Sequence, residues 1–249
     1  MEYLKSSFLI IICFILQNSA VAQSKTNKND STVVIEYSAK FSLPEFSNTS
    51  ITRLIIDSDV SYYFISTPSY LIEDQLQPNA SIIKYKDSNY LLFNRPMLPK
   101  YGKNTYWRDS LTPMKWVITN RRDSINGRML NEATTNFRGR FFTAYYDPAI
   151  PISDGPLKFN GLPGLIVKLF DSDRLWDFSL KSITKSPKKY IANSIEIAGD
   201  FNLFKAIYPE WDRKIKEKSN ANKSVDPNCV GCKTKVPKTY SIEKDLEYN

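Results

Sequence analysis

Two cysteines near the C-terminus are the first residues whose type and spacing point to chemistry. Cys229 and Cys232 form a Cys-Val-Gly-Cys motif. In an oxidising compartment such a pair favours a short local disulfide, and a reduced, intermolecular, redox or metal-binding pair is the alternative. A zinc site needs about four ligands, but the chain has no histidine and only one other cysteine, Cys13. We therefore predict a disulfide between Cys229 and Cys232.

A second pattern consists of aspartates at alternating positions. Asp171, Asp173 and Asp177 resemble the acidic positions of a calcium loop. An EF-hand loop also needs an oxygen ligand at its fifth position, followed by glycine. Leu175 and Trp176 occupy those two positions. The pattern therefore favours a charged hairpin turn, and we predict neither a metal site nor a cofactor.

The absence of histidine from the sequence narrows the possible reactions further. It removes Ser-His-Asp and Cys-His catalysis as well as His-based zinc ligation. A hydrolase would have to use two carboxylates about 5–10 Å apart across a cleft. No spacing in the sequence identifies such a pair, so no catalytic residue is predicted.

Polar and aromatic side chains around residues 145–158 are the best candidates for a binding site. Aromatic faces beside carboxylates suit a sugar site or a peptide groove, and loops on a rigid scaffold commonly carry function. Alternating tyrosines on a strand are also typical of ordinary sheet packing, so both interpretations stay open. The candidate binding residues are Tyr145, Tyr146, Asp147, Asp154 and Lys158.

Short segments rich in β-branched and aromatic residues must position these groups. Turn residues such as Asp57-Ser58-Asp59 separate them, which is typical of hairpins. The pattern predicts a mainly β fold of antiparallel sheets, arranged as a curved meander, a sandwich or an open barrel. The predicted strands are 33–41, 51–56, 60–65, 82–86, 90–94, 116–119, 129–135, 140–146, 165–170, 175–181 and 190–197.

Two regions depart from this strand pattern. Residues 95–114 contain three prolines and a glycine, so we expect a long loop or an irregular edge there. Asp200 is predicted to cap a short C-terminal helix, which Pro209 should interrupt.

The most distinctive stretch of the sequence is 150–166. Pro163 fixes its own φ, and a glycine directly after proline is typical of a type II turn, in which the third residue has positive φ. Glycine and proline mainly shape the backbone, so we expect a structural turn. The residues of this turn are Gly161, Leu162, Pro163, Gly164, Leu165 and Ile166.

Residues 161–166 spell Gly-Leu-Pro-Gly-Leu-Ile, and a Pro-Ile-x-x-Gly-Pro-x-x-Phe pattern precedes them at 151–159. On these residues the chain resembles the GLPGLI family of exported Bacteroidota proteins of unknown function. The resemblance implies an extracytoplasmic protein and supplies no activity, cofactor or catalytic residue. Family members often carry a cysteine in the strand at 128–135, and this chain has none there.

The N-terminus has the layout of a secretory signal peptide. A basic Lys5 precedes the apolar run 8–16, and small residues lead to Ala22. The run is much shorter than the ~20 residues that span a bilayer, so we predict cleavage near Ala22 and no transmembrane segment in the mature chain. The predicted organisation is a signal peptide at 1–22, a flexible leader at 23–31, a β-rich domain at 32–218 and a basic, partly disordered tail at 219–249.

Export and charge together limit the partners. The formal net charge is +8, but export removes nucleic acid as the usual target of a basic surface. We predict an extracytoplasmic location (periplasm, outer-membrane-associated or secreted) and an envelope protein or a glycan as the kind of partner. The expected function is non-enzymatic binding in the cell envelope. A carboxylate-dependent hydrolase or glycan-processing enzyme and a structural envelope protein are the alternatives.

Overall fold

The computed structural model of the protein describes residues 32–43, 46–65, 80–86, 88–94, 105–110, 114–125, 127–187, 190, 194–221 and 243. The predicted signal peptide, the leader and the Cys229–Cys232 pair lie outside the described residues. Within them, twelve strands form one open sheet and a helix follows at the C-terminal end, which confirms the mainly β prediction.

The strands are β1 (Thr32–Leu43), β2 (Phe46–Asp57), β3 (Val60–Phe64), β4 (Ile82–Tyr85), β5 (Leu91–Asn94), β6 (Thr105–Asp109), β7 (Val117–Ile125), β8 (Arg128–Phe137), β9 (Arg140–Asp147), β10 (Leu165–Asp171), β11 (Trp176–Ser186) and β12 (Glu196–Asp200), and the helix is α1 (Phe201–Ala221). Their order across the sheet is β12-β6-β5-β4-β3-β2-β1-β11-β10-β9-β8-β7. Neighbours pair antiparallel except β12 and β6, which run parallel.

The sheet is strongly curled, as an ion pair between distant parts of it shows. Asp109 lies on β6, and Arg138 lies in the turn between β8 and β9. In a flat sheet β6 and β9 would be roughly 38 Å apart at the usual strand spacing, yet Arg138 Nη2 lies 2.6 Å from Asp109 Oδ1. The single sheet excludes the predicted sandwich of two sheets and agrees with the other two predicted arrangements, a curved meander and an open barrel.

The concave face of the sheet carries the main hydrophobic core. Ile35, Leu54 and Tyr63 of the first three strands are fully buried there, as is Phe142 of β9. Burying an aliphatic side chain of this size contributes about 1.5–3 kcal/mol. Strands β4 and β5 bury their other face as well, in a smaller cluster that includes Ile83, Leu92 and Tyr190.

The prediction of a loop over 95–114 is wrong for one segment. Thr105–Asp109 forms β6, a strand with neighbours on both sides. Its Tyr106 and Trp107 are buried on opposite faces. The prolines on either side of this segment favour a loop, but pairing with β5 outweighs this local preference.

The C-terminal predictions are partly confirmed. Asp200 caps α1, since the Leu203 N–H donates to Asp200 Oδ1 at 2.9 Å. Pro209 lies inside the helix without ending it, because Phe204, Tyr208 and Trp211 of one helix face are buried and hold the helix against the core. The strand expected at 190–197 is instead β12, at Glu196–Asp200. No helix among the described residues is long and apolar enough to cross a membrane.

Residues 148–164, here called the insert, connect β9 to β10 and pack on the concave face. Phe159 and Leu162 of the insert are buried in the main core. Its last turn is centred on Pro163, where the Gly164 N–H donates to Leu162 O at 2.8 Å. Gly164 has a φ of 149°, more extended than in a type II turn, because the chain must run straight into β10.

Replacement of Gly164 by alanine is expected to destabilise the fold by roughly 3 kcal/mol or more. A Cβ at this position would lie 2.3 Å from Asp147 O, a backbone atom that cannot move aside. Gly127→Ala is the matched control, since Gly127 also has positive φ but a Cβ there meets nothing within 4 Å. Urea denaturation should give a loss of about 1–2 kcal/mol for the control. Equal losses in both variants would contradict the clash.

Candidate functional site

A cleft of about 630 Å³ lies between strands β2–β5 and the insert. The strand side contributes Ser61, Lys84 and the tyrosines that flank the β4–β5 turn, Tyr85 and Tyr90. The insert contributes residues 151–154 and 160–161. Strands therefore form one side of the cleft, and the insert forms the other side.

A buried ion pair fixes the insert to the strand side of this cleft. Lys84 Nζ is bonded to Asp154 Oδ1 and donates to Gly155 O at 2.9 Å. The Gly155 N–H donates to the same carboxylate oxygen at 2.7 Å. Ser61 Oγ donates to the other oxygen, Oδ2, at 2.5 Å. Both oxygens of Asp154 are thus occupied, and its geometry is determined by three neighbours.

Sheet register explains why Ser61 and Lys84 reach the same carboxylate. The two residues are direct partners in the β3–β4 pairing, so their side chains share one face. The same transverse row continues through Leu91 on β5 to Asp109 on β6. The cation Lys84 on β4 and the anion Asp109 on β6 therefore both face the insert.

The insert carries the complementary charges four residues apart. Asp154 binds Lys84, and Lys158 Nζ lies 2.8 Å from Asp109 Oδ2. In the first pair the insert supplies the anion, and in the second pair it supplies the cation. An insert that crossed the sheet in the opposite direction would therefore bring like charges together. The arrangement sets the direction in which residues 154–158 cross the sheet.

Two buried groups next to these pairs have shifted pKa values. Burial raises the pKa of Tyr37 well above its ordinary value, and the Asp154 charge raises it further; the neutral hydroxyl donates to Ile166 O at 2.8 Å. Burial alone would raise the pKa of Asp109, but Lys158 and Arg138 outweigh it and hold that pKa below its ordinary value.

The five predicted binding residues do not form one site. Asp154 lies in the cleft, whereas Lys158 lies in a buried charge cluster on β6 and the β8–β9 turn. Tyr146 is buried in the core. Tyr145 points the opposite way along β9, and its hydroxyl donates to Glu132 Oε2 at 2.7 Å, which raises the Tyr145 pKa. Asp147 is buried and accepts a hydrogen bond from the Ala149 N–H at 2.9 Å.

The aspartates considered for calcium have other partners. Asp171 Oδ2 lies 2.7 Å from Arg140 Nη1, and its Oδ1 accepts a hydrogen bond from the Trp176 N–H at 2.8 Å. Among the described residues, no group of three or more Cys, Asp or Glu side chains could hold a metal ion.

Sequence reasoning missed Lys84 and the two cleft tyrosines. One pattern could have identified Lys84, namely a single charge inside the apolar strand Ile82-Ile83-Lys84-Tyr85. A buried lysine at such a position needs an anion. Its partner lies 70 residues further along the chain, so the sequence alone does not identify it.

The class of protein defined here is a curled, mainly antiparallel single-sheet β protein with a C-terminal helix. Residues 103–168 match the model of a family described as "Protein of unknown function (Porph_ging)". This stretch contains the motif at 150–166, so it shows likeness to an uncharacterised family, and the GLPGLI name stays a prediction. No curated protein matches the chain.

Two solved structures of PNGF-II, in the P21 and C2 space groups, are similar in fold. Each superimposes with a TM-score of 0.52 at 16% sequence identity. They cover 72% and 73% of this chain, and the chain covers 33% of either PNGF-II chain. The likeness supports the fold, and this chain corresponds to only a part of those longer proteins.

Replacement of Asp154 by asparagine should lower the free energy of unfolding by roughly 3 kcal/mol, because it leaves a buried lysine without its counter-ion. Glu217→Gln is the matched control: Glu217 pairs with Arg213 on the surface of α1, and both side chains are 57% exposed. The control should stay within about 0.5 kcal/mol of the wild type. Equilibrium unfolding in urea checks both, and a loss in Asp154→Asn as small as in the control would contradict the role of the pair.

The lowered pKa of Asp109 predicts a pH dependence of stability. Its stabilising contribution is complete above the unfolded-state pKa of ~3.9 and is lost as pH falls through the lower folded-state pKa. Asp109→Asn should therefore be much less stable than the wild type at pH 7, and this difference should shrink below pH ~4. Denaturation series at several pH values measure it. The exposed carboxyl variant Glu196→Gln should track the wild type throughout, and a difference for Asp109→Asn that does not change with pH would contradict the assignment.

Proposed function

We propose that the protein is an exported, non-enzymatic binding protein of the cell envelope, and that its ligand binds in the cleft between strands β2–β5 and the insert. One observation carries the proposal: the insert is fixed over the sheet by a buried ion pair, so the cleft is preformed. Preformed concave sites bind ligands without an ordering cost for the loop.

The lining of the cleft favours an uncharged, hydrogen-bonding ligand. Two lysines, Lys84 and Lys86, are offset by two aspartates, Asp59 and Asp154. The remaining polar groups are mainly hydroxyls and amides, whereas the rings of Tyr85 and Tyr90 pack against the smaller cluster on the other face of the sheet. Hydroxyl and amide groups suit the hydroxyls of a sugar ring, so a glycan segment is the ligand class we propose.

The occupation of Asp154 favours binding over hydrolysis. A glycosidase needs one carboxylate able to accept or donate a proton and a second one about 5–10 Å away. Both oxygens of Asp154 already accept hydrogen bonds from Ser61, Lys84 and the Gly155 N–H. A carboxylate held in this way orients a loop.

The location and family follow as parts of the same proposal. The signal peptide predicted at 1–22 supports an extracytoplasmic site of action, where glycans are available. The resemblance of 150–166 to the GLPGLI family supports the same location. Nucleic acid is not proposed as a partner.

Glycan-array binding followed by calorimetry on the best ligand tests the proposed function. Asn89 is an exposed residue of the cleft, and Asn136 is an exposed residue of β8 that does not line it. Asn89→Ala should weaken glycan binding about tenfold, as expected for the loss of one or two hydrogen bonds. Asn136→Ala, the matched control, should bind like the wild type.

Three results would contradict the proposal. The first is equal weakening by both asparagine variants, and the second is the absence of any glycan or envelope polypeptide that binds the wild type. The third is steady turnover of a bound glycan, with hydrolysed product appearing in proportion to the protein, which would favour the enzyme.

A further inference from the structure

Among the described residues, four charged side chains meet in the buried region between β6, the β8–β9 turn and the insert. We call them the charge quartet: Asp109, Arg138, Lys158 and Glu243. Arg138 holds Asp109 through two hydrogen bonds, at 2.6 and 3.0 Å. Lys158 lies 2.8 Å from the same carboxylate. Glu243 Oε1 lies 2.5 Å from Lys158 Nζ and 3.0 Å from Arg138 Nη1.

The quartet is neutral only because Glu243 takes part in it. Arg138 and Lys158 supply two positive charges, and Asp109 offsets one of them. Without Glu243 an uncompensated cation would remain in a buried place, which costs several kcal/mol. The side chain of Glu243 is 1% exposed, although it lies 85 residues beyond Lys158 in the chain.

Aromatic rings lie against the two cations. Lys158 Nζ lies 4.5 Å from the centre of the Phe93 ring, and Arg138 Cζ lies 3.6 Å from the centre of the Phe201 ring. Ring faces stabilise cations and exclude water. Both cations direct a donor at Glu243 Oε1.

Arg138 is the member of the quartet with the most contact to solvent. The Arg138 side chain is 18% exposed, more than the other three members of the quartet. Two cations with fixed donors beside aromatic rings are the parts of an anion site. The short contacts to one oxygen from two cations are typical of strong, charge-assisted carboxylate recognition.

We infer that Arg138 and Lys158 form a carboxylate-binding site that the chain's own Glu243 occupies, and that the site accepts a small free carboxylate when this side chain is removed. Glu243 is thus an internal ligand. This site is separate from the cleft and does not depend on what the cleft binds.

Chemical rescue of Glu243→Ala in the full chain tests the inference. The variant should melt about 10 °C below the wild type, as expected for a buried cation that has lost its partner. Sodium acetate should restore most of this loss along a saturating curve. Acetamide, the neutral isostere, and sodium chloride at equal ionic strength should not restore it. Wild-type protein, in which Glu243 fills the site, should show no acetate-specific shift.

The variant Glu243→Ala/Lys158→Met distinguishes a carboxylate site from general charge balance. It lacks the second cation, so acetate should no longer raise its melting temperature. If Glu243→Ala does not fold, Glu243→Gln supports the same comparison, because a neutral amide can be displaced by acetate. Rescue by chloride as strong as by acetate, no rescue by acetate, or undiminished rescue of the double variant would each overturn the inference.

Discussion

The bidentate contact between Arg138 and Asp109 marks the constraint on which the concave face depends, namely that distant parts of one sheet meet. It joins the turn between β8 and β9 to β6, a strand far from them in the sheet order. The main core joins the same parts of the sheet, because it combines residues of β5 and β6 with residues of β8 and β9. Joined in this way, the sheet curls and acquires a concave face that the insert can cover.

The insert adds a second constraint of the same kind. Asp154 and Lys158 bind a cation and an anion that lie in one transverse row of the sheet, so the insert has one direction across the concave face. Two buried ion pairs are weak evidence for stability, but opposite polarity makes them effective in specifying geometry. The insert forms one wall of the cleft, so the direction in which it crosses the sheet also sets the shape of the cleft.

Glycine has a specific part in the same region. A Cβ at position 164 would lie 2.3 Å from Asp147 O, so only glycine fits where the insert runs into β10. Leu162 and Ile166 then turn into the core on either side. The motif therefore reflects a close backbone approach, and the polar chemistry nearby belongs to other residues.

Local patterns in the sequence determined much of the fold. Alternating β-branched and aromatic residues placed most strands, Asp200 marked the helix start, and the lack of histidine excluded whole classes of catalysis. Signals of this kind act over a few residues, which is why β6, surrounded by prolines, escaped prediction. Asp154 was recognised as a polar residue beside a turn, but its role as the partner of Lys84 was not.

Only the tertiary structure decided which charges meet. Lys84 and Asp154, or Lys158 and Glu243, are separated by about seventy residues or more, and no local pattern links them. Their pairing follows from strand order, register and curl, which are properties of the whole sheet. The sequence by itself determined that buried charges would need partners, and the curled sheet decided which partners they have.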